Sequence, residues 1–140
     1  MNKKIFYGLS AVLFIPACVF ADSFVPEFDK MKNLRCDFVE SIYNQDGAFI
    51  TKSSQHRIYR LDDEYKKIYL QKEPIDNILY YADDKIEFNL QSMSDEFIMM
   101  SHTVIDKNSL SYSSTAEIIY DNPVFGIHHS KSEGTCKFFN

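Results

Sequence analysis

The side chains able to do chemistry are few and widely spread. Four histidines occur, His56, His102, His128 and His129, with three cysteines, Cys18, Cys36 and Cys136. A zinc site needs three or four ligands converging on one point. His128 and His129 are consecutive, and consecutive side chains of a strand point to opposite faces, so the pair cannot chelate one ion. His102 with one of that pair and a carboxylate is the arrangement left, against the simpler role of a ring satisfied by backbone or solvent. No metal site is expected.

Acidic pairs stand at Asp62-Asp63, Asp83-Asp84 and Asp95-Glu96. Glycoside chemistry needs two carboxyls facing each other across a cleft at a set gap. These pairs fall in turn-forming contexts, where acids are solvated. They also lack the alternating ligand spacing and central glycine of a calcium loop. No nucleophile elbow, metalloprotease helix or phosphate-cradling glycine loop is present. The expectation is a chain that is not an enzyme and takes no cofactor. Tyr59, Tyr65, Tyr69, Tyr80, Tyr81, Tyr112 and Tyr120 are the candidates for a binding platform, since rigid aromatics anchor interfaces. Packing inside a sheet is the competing role for each of them.

Behind these side chains stands a chain of 140 residues, short enough for one domain, with 45% apolar and 25% charged residues. Its start reads as a signal peptide over residues 1–21: a basic leader at Lys3 and Lys4, an uncharged apolar run from Ile5 to Phe20, then Ala21. The run is short for a membrane span. Ile15-Pro16-Ala17-Cys18 also fits a lipoprotein box, which would make Cys18 a lipid anchor. Residues 22–140 are then the mature single β domain, periplasmic or secreted. Cleavage after Ala21 removes two lysines and no acid, which takes the net charge from −5 to −7. Nucleic acid is not an expected partner, because phosphate neutralisation needs clustered Lys or Arg. The two remaining cysteines, Cys36 and Cys136, are expected to pair, as cysteines of exported chains do.

The elements that must position these residues read as strands. The stretch Glu96–Tyr120 divides into two arms around Asp106-Lys107-Asn108-Ser109, a cluster of turn formers. The second arm alternates, with Leu110, Tyr112, Ser114, Ala116, Ile118 and Tyr120 on one face. A two-residue loop would align Phe97, Met99 and Ile105 with that face; a three-residue loop would align Ile98, Met100, His102 and Val104. The second alignment buries more apolar surface and is the one expected here, although it also buries His102. A one-residue slip exchanges the faces.

Upstream, Pro26–Leu34 is expected to form a short helix that lids the core, with Pro at the first position and lysines late. Arg35–Asn44 alternates as a strand, and Asp46-Gly47 marks a hairpin turn. Ala48–Thr51 and Arg57–Leu61 are extended with an interruption at Lys52–Ser54. Lys66–Gln71, Asn77–Ala82 and Lys85–Leu90 are further strands. Pro74 keeps Lys72–Asp76 out of any central strand. Val124–His129 reads as the last major strand, Ser130–Gly134 as a polar turn or bulge, and Thr135–Phe139 carries Cys136.

All links have hairpin length, so the fold class is all-β, an antiparallel meander of about eight strands. Pairing of the first and last strands would close or partly close a barrel and bring Cys36 beside Cys136. A two-sheet sandwich is the alternative. An exported β domain with cysteines in its terminal strands resembles the periplasmic lysozyme inhibitors of Gram-negative bacteria. Those carry a Ser-Gly-x-x-Tyr loop; the nearest stretch here, Ser111–Ala116, has no glycine, so no site residue is carried over. The functional expectation is a non-catalytic binding protein, an inhibitor or immunity-type module acting on a protein partner in the envelope or outside the cell. The alternative is a carrier holding a small ligand or lipid in the barrel interior.

Overall fold

The computed structural model describes residues 25–140; the expected signal peptide over residues 1–21 and the expected lipid anchor at Cys18 lie outside the described residues. Nine strands form one antiparallel sheet: β1 Lys32–Tyr43, β2 Phe49–Asp62, β3 Lys67–Leu70, β4 Glu73–Pro74, β5 Asn77–Tyr81, β6 Lys85–Met93, β7 Phe97–Asp106, β8 Ser111–Tyr120 and β9 Ile127–Phe139. Their order is β4-β3-β2-β1-β9-β8-β7-β6-β5. The meander therefore joins its first and last long strands and opens at the short link between β4 and β5. The result is a single curled half-barrel, not a sandwich. Pro74 lies in the two-residue edge strand β4, where a missing N–H costs no ladder bond.

Residues of one parity turn inward. Leu34, Cys36, Tyr59, Leu61, Ile68, Ile86, Phe88, Ile105 and Tyr112 form the core with Phe38, Ile75 and Cys136. Tyr59 and Phe88, from opposite halves of the sheet, meet edge to face at 5.8 Å, so the curl is held by rings contributed across it. Cys36 and Cys136 face each other in the β1–β9 ladder, Cα atoms 3.9 Å apart, and are joined by a disulfide.

Four local expectations are corrected. The N-terminal helix is reduced to one 3-10 turn, Phe28–Lys30, and β1 already begins at Lys32. The period-two burial of Leu34, Cys36 and Phe38 wins over helical spacing, while Phe28 packs edge-on against Tyr69 at 5.2 Å. β2 runs through Lys52–Ser54 without a break, paired to β1 throughout. β9 runs through Ser130–Gly134, because Ser130, Ser132 and Gly134 are small enough to fill its inward positions. Val124 and Phe125 belong to the β8–β9 loop and not to a strand.

The hairpin register is the fifth correction. Ile105 faces Tyr112, Thr103 faces Ser114, and Met99 faces Ile118, so Phe97, Met99 and Ile105 share the inward face. His102 and Val104 point outward. The cause is in the turn. The Asp106 carboxylate accepts the N–H groups of Asn108 and Ser109, both at 2.8 Å, and Leu110 takes a left-handed φ of 57°. This lengthens the two-residue link by two residues, which preserves its parity. The faces therefore match the shorter loop and oppose the three-residue alignment. The inward Thr103 and Ser114 hydroxyls then satisfy each other at 2.9 Å.

Candidate functional site

The two ends of the half-barrel differ in chemistry. At one end lie the β2–β3, β5–β6 and β7–β8 turns. Asp63, in the first, accepts bonds from Lys32 Nζ (2.8 Å), Lys107 Nζ (3.1 Å) and Tyr81 Oη (2.7 Å). Lys107 also donates to the Ala82 carbonyl at 3.1 Å and sits 5.0 Å from the Tyr81 ring centre. This cluster ties β1, the β2–β3 turn, β5 and the β7–β8 turn together across the open seam. Burial alone would raise the Asp63 pKa, but hydrogen bonds from Lys32, Tyr81 and Lys107 outweigh it and hold the group at about 2. Burial, then the Asp63 hydrogen bond, pushes the Tyr81 phenol above its usual range. Each group satisfies another inside the cluster, so this end is a clasp.

The opposite end carries the β1–β2, β6–β7 and β8–β9 loops, and among their polar and acidic residues the last presents an apolar tip. Asn122 shapes the last of these: its side-chain oxygen accepts the Val124 N–H at 3.0 Å and its carbonyl accepts the Phe125 N–H at 3.1 Å. Pro123 restricts φ, and Gly126 takes a φ of 63° that a side chain would resist. The turn therefore presents Val124, 86% exposed, and Phe125, 56% exposed. Tyr120 stands behind them as a hub, with ring centres 5.7 Å from Phe125, 6.0 Å from Phe97 and 4.8 Å from His128. Neighbouring loops brace this one: Asp121 N–H donates to the Glu96 carbonyl at 2.9 Å, and Gln45 lies against Gly126. Phe49 and Met93 add exposed apolar surface.

Beside this end, on the outer face, runs an open groove of about 650 Å³ lined by Tyr43, Met100, His102, Glu117, His129 and Lys131 among others. His102 is engaged at both ring nitrogens, Nε2 2.9 Å from Glu87 Oε1 and Nδ1 2.8 Å from Asn89 Oδ1. The ring is thereby oriented along the sheet surface, with neither nitrogen open to a substrate. His128 and His129 separate to inner and outer faces by the β9 alternation. Among the described residues no group of three or more His, Cys, Asp or Glu is placed to hold a metal ion.

The tyrosines do not form one platform. Tyr59, Tyr69 and Tyr112 are buried, Tyr65 and Tyr80 are exposed, Tyr81 belongs to the clasp and Tyr120 to the apolar tip. Ser111–Ala116, the counterpart of the inhibitor loop, lies inside strand β8. Comparison with protein-family models, curated proteins and solved structures found no match. Sequence reading missed Val124 and Phe125 as surface residues. The Asp121-Asn122-Pro123 run and Gly126 were the available signal, since together they build a turn that a strand cannot cross.

Proposed function

We propose that this chain is an exported, non-catalytic binding protein, an inhibitor or immunity-type module that engages a protein partner through the apolar tip of its β8–β9 loop. The observation that carries this reading is the Val124–Phe125 tip, apolar and solvent-facing yet held by an Asn-Pro turn and backed by Tyr120. Exposed apolar patches rimmed by polar groups are a mark of interaction sites, and pre-organised aromatics bind without a large ordering cost. The inward face is occupied by Phe38, Tyr59, Phe88 and Tyr112, which favours a surface site over the alternative of a carrier with a ligand inside. The disulfide fits an oxidising compartment, periplasmic or extracellular. Among the described residues no helix is long and apolar enough to cross a membrane.

The test compares wild type with Val124→Asp/Phe125→Asp in affinity capture from envelope and secreted fractions of the producing organism and its neighbours. The expected result is one protein retained by wild type and lost by the variant, with unchanged circular dichroism. Equal capture by both would overturn the loop-end site.

A further inference from the structure

Among the described residues one edge of the sheet is long and unpaired. β2 pairs with β1 along its length but with β3 only over Tyr59–Asp62. Pairing parity shows which backbone groups point into the empty side. The Cys136 N–H donates to the Leu110 carbonyl at 2.7 Å, toward β8 and away from β1. In an antiparallel ladder Cys36, opposite it, must then direct its own N–H and C=O toward Arg57 of β2. Alternation along β2 leaves Lys52, Ser54, His56 and Ile58 with N–H and C=O aimed outward, in a register unbroken from Thr51 to Leu61. All four residues are exposed.

The same edge is basic, although the chain carries a net charge of −5. Lys52 lies along it. Where β3 ends, a groove of about 760 Å³ is lined by His56, Arg57, Ile58, Arg60, Lys72 and Glu73 among others. Lys52, Arg57, Arg60 and Lys72 make no ion pair among the described residues. Arg57 and Arg60 lie over the Phe38 and Phe28 rings at 5.9 and 5.1 Å, which positions their guanidinium groups without neutralising them.

We propose that this edge binds an extended acidic polypeptide segment as an added strand beside β2. A strand supplies the alternating donors and acceptors that Lys52, Ser54, His56 and Ile58 leave unmet, and its carboxylates meet cations that no carboxylate of the described residues pairs, Arg60 keeping its 2.8 Å bond to the Gln71 carbonyl. A nucleic acid supplies anionic charge but no matching backbone ladder. The edge adjoins the loop end at Phe49 but shares no residue with the Val124–Phe125 tip, so each reading can fail without the other.

The test titrates the full mature chain with a capped peptide of alternating Glu and Val, read by amide hydrogen exchange and calorimetry. Exchange at Lys52, Ser54, His56 and Ile58 is expected to slow by about tenfold or more in the complex. Lys52→Glu/Lys72→Glu is expected to weaken binding about tenfold or more. Ser54→Pro removes one outward N–H at a site where edge strands accept proline, and is expected to abolish the protection while the fold persists. Should that variant unfold, the charge reversal still decides. Unchanged exchange at these four amides at millimolar peptide would overturn the proposal. So would equal protection by a Lys–Val peptide, or tighter binding of a thymidine oligonucleotide. Self-association of the free protein through this edge, relieved by Ser54→Pro, would assign the edge to a second copy instead.

Discussion

Phe38 of β1 and Tyr112 of β8 stack with ring centres 4.6 Å apart and planes 20° from parallel, although a whole strand lies between them. The residue between is Gly134 of β9, opposite Phe38 on one side and Tyr112 on the other. With no side chain there, the β1 backbone at Asp37 and Phe38 comes close to β9, and the two rings meet across it. The stack bridges three strands beside the disulfide and so ties the two halves of the meander at their junction.

A methyl group at residue 134 would meet the Asp37 carbonyl oxygen and, at 2.5 Å, the Phe38 Cα, both backbone atoms that cannot swing away. Gly134→Ala is expected to destabilise the fold by about 1–3 kcal/mol in urea unfolding. Phe38→Ala should cost about 3–5 kcal/mol. A double-mutant cycle between Phe38→Ala and Tyr112→Ala should show a coupling of about 0.5–1.5 kcal/mol.

The covalent bond between Cys36 and Cys136 spans a sequence separation of 100 residues. Loop-closure entropy for that length sets an upper contribution of about 4.7 kcal/mol. Cys36→Ala/Cys136→Ala is expected to lose about 2–5 kcal/mol. Without reductant, alkylation and mass spectrometry of the purified chain should find both sulfurs unmodified; two alkylated cysteines would contradict the clasped β1–β9 seam.

Asp63 gives the fold an acid-side dependence on pH. Its folded pKa, about 2, lies below the usual aspartate value of about 3.9, so its contribution is full above the unfolded value and fades as pH falls through the folded one. The gap in melting temperature between wild type and Asp63→Asn should be constant above about pH 4 and shrink toward pH 2. A gap that persists at pH 2 would mean that the charge is not what closes this end.

Turn length in the β7–β8 hairpin decides which side chains face the core. Deleting Asn108 alone should invert the parity and expel Ile105 and Thr103, at a cost of more than about 3 kcal/mol. Deleting Asn108 and Ser109 together restores parity and should cost less, despite losing the bonds to Asp106. Thermal unfolding of the two deletions checks the order.

Much of the architecture was legible in one dimension. Alternation along Lys85–Leu90 and Leu110–Tyr120 follows from the two-residue repeat of a strand, and hairpin-length links leave an antiparallel meander as the outcome. The repeat of Cys36 and Phe38 was legible as a strand, but it reaches back to Leu34, which a proline and late lysines had placed in a short helix. Small inward residues in β9 read as a turn, because Ser and Gly serve both purposes.

The sequence by itself determined the all-β class and the antiparallel meander, since these depend on local period and link length, while the adjacency of the first and last strands stood against a sandwich until the tertiary structure joined β1 to β9. Only the tertiary structure decided the hairpin faces, because a side-chain bond at Asp106 sets the loop length. It alone joined Asp63 to Lys32, Tyr81 and Lys107, and Tyr120 to Phe97, Phe125 and His128. It also gathered Lys52, Arg57, Arg60 and Lys72 along one edge of an acidic chain. Such groupings depend on which residues become neighbours across strands, and a linear count of charges and rings does not contain that distance.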